Sequence, residues 1–323
     1  MNIASKSRNI KGCFKCNSKL APFKKNSSYP IICPKCKIFN RKIITKCFYC
    51  DSKKYEKWGR PVRDFYSVKC KNCCIVYIKN PLTTEAQSNF YDNYLENVHQ
   101  KNKKKNRQRS KMYQIELDFL LSAISNSKNL KSVLDVGCGG GYFLDLLKKK
   151  GIKTFGTEVG RDSYLQAKKK HKMFYGEFNQ KLKINKKFDL IVMRGVIEHV
   201  ENPTKYISLG QKLLKKGGYF FITATPNLDS VAAKIFKERW TLHRPEVHIL
   251  HLSESHVDKL FNKKNFIKCG TKSLYLGTPY ENFYQDMRKM CNEMNSQSKG
   301  KSSNNQSPPF FDSMMTVVYK KTS

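Results

Sequence analysis

The sequence predicts an α/β fold: a doubly wound, mostly parallel, Rossmann-like sheet with an antiparallel edge pair, preceded by two small cysteine-paired ribbons. Three observations predict it. Eight of the twelve cysteines form four Cys-x-x-Cys pairs, all before residue 74. From residue 131 onward, apolar runs of strand length alternate with segments of helical periodicity. The first of those runs, "SVLDV", opens directly into "GCGGGY" at 137–142.

The cysteines come in two units. Cys13 and Cys16 are followed after sixteen residues by Cys33 and Cys36; Cys47 and Cys50 are followed after nineteen by Cys70 and Cys73. Thiolates two residues apart can reach one ion, and a second pair completes a tetrahedron. Zinc suits four soft thiolates, so two structural zinc sites are expected. Such sites are closed, with no open position for water or substrate, which argues against catalysis at the metal. A redox dithiol would need a helix in a βαβ setting, which these pairs lack. Cys74 is spare, and Cys138, Cys269 and Cys291 stand alone. The expected organisation is a first ribbon at 1–44, a second at 45–80, a helical basic linker at 81–128 and the α/β domain at 129–323.

Along the chain, "IVYIK" leaves the second ribbon as a strand ended by Pro81, with an aromatic-rich helix after it. "MYQIELDFLLSAI" sets Ile115, Phe119 and Ile124 on one helical side. "SVLDV", "KTFGTEV", "KMFYGEF", "FDLIVMRGV" and "GYFFITAT" read as strands, and "YFLDLLKKKG", "RDSYLQAKKKH" and "NPTKYISLGQKLLKKGG" as the helices between them. The last of these starts near Pro203 and stops at the glycine pair. "LDSVAAKIF" and "SESHVDKLF" are further helices, the second with Ser253 as N-cap. "IKCGTKSLYL" and "SMMTVVYKK" are late strands that form the antiparallel pair, and the polar stretch at 291–309 reads as a mobile insertion between them.

The net charge is +37, from 62 basic and 25 acidic residues. Lysine far outnumbers arginine and is scattered, a pattern that fits a lysine-rich coding bias as well as an anion-binding surface. The densest run, "HQKNKKKNRQRSK" at 99–111, reads as a solvated linker or helix face. Nucleic acid is therefore the disfavoured partner. No apolar run reaches the roughly 18 residues of a membrane-spanning helix, and the N-terminus has no signal-peptide core, so a cytoplasmic location is expected.

The glycines at 137, 139, 140 and 141 lie between a buried strand and a helix, where they permit a tight turn and close approach of a ligand to backbone. Asp135 ends the strand before them, and Glu158 ends the next strand, placed to accept two ribose hydroxyls. The absence of Gly-Lys-Ser/Thr excludes a P-loop. A dinucleotide loop would want a third glycine, and Asp135 would repel a pyrophosphate, whereas it suits an ammonium group.

"VLDVGCGGG" resembles the first motif of class I S-adenosylmethionine-dependent methyltransferases. "FDLIVMRGVIEHVENP", "LLKKGGYFFITATPN" and "RWTLHRPEVHILHLSESHVDKLF" resemble the later motifs of the branch that includes ubiquinone-pathway O-methyltransferases, and the likeness covers roughly 112–323. "CFYC", "CKNCCIVYIKNP" and "FYDNYLE" resemble the zinc-binding leader of many bacterial methyltransferases. The resemblance implies S-adenosylmethionine as cofactor, with Gly137, Cys138, Gly139 and Gly141 along its methionine and ribose parts and Asp135 near its amino group. Glu158, in place of the commoner Asp, and Val159 would sit at the ribose; Glu177 and Phe178 would flank adenine; Met193 and Arg194 would face the cofactor from the fourth strand.

Methyl transfer to a hydroxyl needs the proton removed, and histidine is the usual base. His199, His243, His248 and His251 are candidates, with His199, Glu198 and His248 carried as the catalytic set. Glu198–His199 acts as a base or orients its loop. Some relatives bind a divalent metal here through Glu-x-x-Glu-His; Gly195 stands at the first acid's place and Arg194 adds positive charge, so a catalytic metal is disfavoured. For His248, a hydrogen bond to backbone is the favoured reading. The expected activity is methyl transfer by in-line displacement, O-methylation by expectation, to a small-molecule or sugar-containing acceptor. The alternative is an RNA-binding or RNA-modifying methyltransferase that uses the zinc ribbons and the basic linker; against it, "TPN" at 225–227 stands where a base-nitrogen methylase would carry Asn-Pro-Pro-Tyr.

Overall fold

The computed structural model describes residues 18, 33, 35, 41–84, 86–87, 91, 103–125, 127–262, 265–301 and 303–322. Cys13, Cys16 and Cys36 lie outside them, as does most of the aromatic segment after Pro81. Of the first ribbon's ligands only Cys33 is described, and it is buried.

Strands β1 (Tyr55–Lys57), β2 (Ser67–Cys70) and β3 (Val76–Ile78) form an antiparallel ribbon. Helix α1 (Lys103–Ala123) leads into the α/β domain. Its buried ridge is Met112, Leu117, Leu120 and Ile124, with Ile115 and Phe119 only half-buried on its flank. The apolar pattern misplaced this face because Glu116, an acid, occupies part of it with 1% exposure.

Next come β4 (Ser132–Val136), α2 (Tyr142–Lys149), β5 (Lys153–Glu158), α3 (Arg161–Lys168), β6 (Lys172–Tyr175), β7 (Phe188–Arg194), α4 (Pro203–Leu213) and β8 (Leu214–Pro226). Asn202 caps α4 by accepting from Lys205 N at 2.9 Å, and Pro203 follows at the first turn, where no N–H is needed. The helix stops at Leu213, short of the predicted glycine pair, because Gly217 at φ 73° instead serves an irregularity where β8 pairs with β7. The chain continues through α5 (Val231–Phe236), β9 (Leu250–His251), α6 (Glu254–Asn262), β10 (Phe266–Lys272), α7 (Phe283–Ser298) and β11 (Met314–Lys321).

The main sheet has the order β10-β11-β8-β7-β4-β5-β6. Strands β4 to β8 run parallel, and β11 runs antiparallel to both β8 and β10, which makes the expected antiparallel pair at one edge. Alternate residues feed two cores. Leu134, Ile191, Met193, Phe220 and Ile222 pack on one face; Val133, Leu190, Val192 and Phe221 meet Leu117, Phe143, Leu144 and Leu147 on the other. Strand order reverses at β4, which lies between β5 and β7, so a crevice opens beyond its C-terminal end.

Two expectations needed revision. The polar stretch from 291 is helical up to Ser298, since Met290 packs with Ala233, Phe236 and Trp240, and Glu293 pairs with Arg239 at 2.6 Å. Two of the three buried positions on α7 are acids, Asp286 and Glu293, which hid its inner face from an apolar pattern. The histidine-rich loop contains β9, which pairs with β3 and extends the ribbon to four strands. Among the described residues no helix is long and apolar enough to cross a membrane.

Candidate functional site

The glycine loop leaves β4 at the crevice. Gly137 N and Cys138 N donate to Thr157 O at 2.9 and 3.1 Å, tying the turn to β5. Gly137 (φ 67°) and Gly141 (φ 81°) adopt left-handed backbone, and a Cβ would meet Val196 at 3.0 Å at the first and the His171 ring at 2.8 Å at the second. Gly139 N donates to Glu158 Oε2 at 2.7 Å, and Val159 N and Gly160 N both donate to Glu158 Oε1 at 2.8 Å. Burial raises the Glu158 carboxyl pKa, and these N–H donors oppose the shift. Glycine loop and acid are thus one unit.

Asp135 lies beside them with 1% exposure, and its Oδ1 has no hydrogen-bond partner. Burial pushes its carboxyl up to about 8, with Arg194 opposing and Glu158 and Glu116 adding to the shift. A buried carboxyl oxygen left bare fits a ligand that brings a cation. The Cys138 thiol packs 3.9 Å from Met173 Sδ. Val159 is 40% exposed at the crevice side. Glu177 is exposed and accepts from Tyr206 OH and Asn179 Nδ2, while Phe178 is buried in the core beside Tyr206. Met193 is wholly buried in the core between β4 and β8.

Arg194 ends β7 and donates twice to Glu116, from Nε at 2.6 Å and Nη2 at 3.1 Å. Its guanidinium lies 4.3 Å from the Tyr113 ring centre. Sequence reasoning missed Glu116, although an acid on the apolar face of a helix was a signal to look for a partner.

Glu198, His199 and His248 converge although 48 residues separate His199 from the segment it contacts: one potential ligand atom from each lies within 4.8 Å of the others. Val247 O can only accept, so His199 Nδ1, 3.0 Å away, carries the proton and Nε2 is left with a free lone pair. Tyr91 OH reaches the same Nδ1 at 2.9 Å, a contact for which the sequence held no sign. His248 Nδ1 donates to Leu242 O at 2.6 Å, the backbone anchor that was expected. Burial lowers the His199 pKa to about 4 and raises that of Glu198 to about 8. Both are uncharged at neutral pH, so His199 is a weaker base than the near-neutral one expected. The three groups are also of a kind that can ligate a metal ion.

In the ribbon, Cys47, Cys50, Cys70 and Cys73 gather with their sulfurs within 4.8 Å of one another. Cys47 Sγ lies 3.6 Å from Cys73 Sγ, and Cys50 Sγ 3.6 Å from Cys70 Sγ. Zinc–thiolate bonds of about 2.3 Å give tetrahedral edges of about 3.8 Å, so the quartet fits a zinc ion. Tyr49 N donates to Cys47 Sγ at 3.4 Å, as a knuckle requires. His243 and His251 are also buried against the ribbon, His251 next to His248.

Replacing Glu116 with Ala leaves Arg194 without its counter-charge. With that guanidinium a quarter exposed, the expected loss of unfolding free energy is about 3 kcal/mol, measured by urea denaturation. A Glu116→Ala, Arg194→Met double variant should recover part of it; if it is as unstable as the single one, the pair is not the cause.

The methyltransferase-domain family matches residues 105–267. The chain is 35% identical over 106 residues to a ubiquinone biosynthesis O-methyltransferase of Pelagibacter ubique, covering 30% of this chain and 44% of the relative. It is 29% identical over 130 residues to the protein of that name in Aliivibrio fischeri, covering 37% and 56%. The chain thus spans about half the length of the curated relatives it matches. Among solved structures, the plantazolicin methyltransferase BamL is similar with a TM-score of 0.49 at 17% identity, over 73% of this chain and 95% of that one. The magnesium protoporphyrin IX methyltransferase of Synechocystis PCC 6803 has a TM-score of 0.46 at 14% identity, over 71% and 91%. The family match takes in just over half of the 323 residues, the glycine loop, Glu158 and Glu198–His199 included, and the chain belongs to the methyltransferase-domain family.

Proposed function

We propose that the chain is an S-adenosylmethionine-dependent methyltransferase that O-methylates a small-molecule or sugar-containing acceptor. The observation that carries this reading is the bare, buried oxygen of Asp135 beside a glycine loop bonded to Glu158. When bound, S-adenosylmethionine supplies a methyl group already activated by its sulfonium, so the protein's share is positioning and exclusion of water. Asp135 holds the ammonium. The Glu158 carboxylate, fixed by three backbone N–H groups, accepts a ribose hydroxyl at its one remaining lone-pair site, on Oε2. Glu177 borders the adenine side, with Phe178 anchoring that loop in the core, and Arg194 faces the crevice from β7. His199 takes the acceptor hydroxyl's proton at Nε2, and His248 and Glu198 orient it. The relatives' names favour oxygen as the methylated atom. The cysteine quartet at 47–73 holds a structural zinc, and the same role falls to Cys13, Cys16, Cys33 and Cys36 in the first ribbon. The RNA alternative rests on the ribbons and the net charge alone.

Three outcomes are expected. Glu158→Ala weakens S-adenosylmethionine binding at least about tenfold in calorimetry, the worth of one charge-assisted hydrogen bond or more, and also lowers the thermal transition, because three backbone N–H groups lose their acceptor; equal affinity removes the cofactor assignment. The free protein holds a proton on Asp135 below about 8, and an ammonium favours its loss. Affinity should therefore rise with pH towards 8, by up to about tenfold per unit, and fall again above it as the ligand's ammonium, with an ordinary pKa of about 8, loses its proton; the Asp135→Asn variant should lose the rise below 8. With a catechol as probe acceptor, His199→Ala should slow transfer about 10²–10⁴-fold while cofactor affinity stays; undiminished turnover rules out His199 as base.

A further inference from the structure

Residues 247–251 are held from both sides. On one side, β3 pairs with β9, Val76 opposite His251 and Tyr77 opposite Leu250, and Ile78 N donates to Ile249 O at 3.0 Å. On the other, Leu250 N donates to Glu198 O at 3.2 Å and His199 Nδ1 to Val247 O at 3.0 Å. The five residues are thus a splint between the ribbon and the Glu198–His199 loop.

Side chains repeat the connection. The His199 and His248 ring centres lie 4.8 Å apart, His248 and His251 6.2 Å, and His251 and His243 5.3 Å. At the far end of this row stand two ribbon residues. Trp58 lies 5.2 Å from His243 and 6.3 Å from His251, and Ser67 Oγ is 2.7 Å from His243 Nε2. Since His243 Nδ1 faces Glu238 O, Nε2 accepts the serine proton. A second attachment starts at the metal knuckle itself. His256, in the first turn of α6, donates from Nε2 to Cys73 O at 2.5 Å, and Tyr49 OH donates to His256 O at 3.0 Å.

The ribbon has little order of its own. Strands β1 and β3 have three residues each, too few for an isolated sheet to persist in water. Its shape needs the ion at the four thiolates and the β9 partner together. The cofactor loop, by contrast, takes its hydrogen bonds from β5 and its own turn.

We propose that the second ribbon is a positioning device for Glu198, His199 and His248: the metal-closed knuckles fix β3, β3 fixes β9, and β9 fixes the loop on which the proposed base stands. Loss of the metal would then disable transfer while leaving the cofactor half of the site intact. This rests on the methyltransferase reading for its consequence, but not for the mechanical link.

The test uses the full chain. Metal content and S-adenosylmethionine affinity are measured first; a chain that holds zinc but does not bind the cofactor counts against the methyltransferase reading, while the readouts below still judge the link. The metal is then released with a mercurial thiol reagent and a chelator. The expected result is faster amide exchange at Leu250 and shifted imidazole ¹⁵N resonances for His199 and His248, with cofactor affinity changed less than about twofold. Because stripping could unfold the chain, Ser67→Ala and Trp58→Ala provide a second arm with the thiolates untouched. They should shift the same resonances and lower kcat for the catechol probe without raising KM for the cofactor, and Ser67→Thr should restore them. Unchanged Leu250 exchange and ring resonances in both arms overturn the proposal. So does a parallel loss of cofactor affinity, which would mean a general structural role, and so does a chain purified without metal whose resonances already match the zinc-loaded form.

Discussion

The crevice exists because strand order reverses at β4, and everything at the site follows from which groups that reversal buries together. Asp135, Glu158 and Arg194 end three neighbouring strands, and Glu116 arrives from α1. Three buried carboxyls share the region with one partly exposed guanidinium, which is already engaged twice by Glu116. Glu158 is compensated by three N–H donors. Asp135 has an oxygen with nothing to bind, and burial holds its proton in place up to about 8. The protein therefore lacks one positive charge at one defined point. A ligand that supplies it converts a desolvation penalty into binding energy, and it does so at the foot of a loop whose glycines let it approach backbone.

The same logic governs the acceptor side with the signs changed. His199 and His248 are held neutral by burial, each with Nδ1–H committed to a carbonyl, so both present lone pairs and neither presents charge. Glu198, pushed up to about 8, adds no charge at neutral pH. Acceptors whose orientation is already set assist a proton transfer made beside them, because they need not reorganise. It also explains why the segment at 247–251 must be held firmly: a carbonyl that sets a tautomer is useful only while it stays in place.

Much of this was legible in the sequence, and the part that was not has a common cause. The strand and helix alternation, the antiparallel late pair, the glycine loop with Asp135 and Glu158, and the cysteine pairs are all local patterns, read within a few residues of one another. What escaped is defined by distant partners. Strand β9 is two residues long and is a strand only because β3 lies alongside it. Glu116 and Glu293 look like solvent-facing acids until Arg194 and Arg239 are placed. Tyr91 meets His199 across 108 residues. His248 and His251 lie where the chain runs into β9, and each meets a different neighbour, His199 and His243.

The charge balance closes the account of the acids. Only 25 acidic residues face 62 basic ones, yet Glu116, Asp135, Glu158, Glu198, Asp286 and Glu293 are all buried. A chain short of acids has placed six of them where burial is most costly. Five have partners that offset the cost: Arg194 for Glu116, three backbone N–H groups for Glu158, Thr225 for Glu198, Tyr275 for Asp286 and Arg239 for Glu293. Burying those acids leaves the surface more basic than the net charge alone states, while the excess itself comes from the 62 basic residues. Asp135 is the one whose Oδ1 the fold leaves bare while its carboxyl gains no hydrogen bond from a neighbouring arginine, and that is the position where a cationic ligand completes the structure.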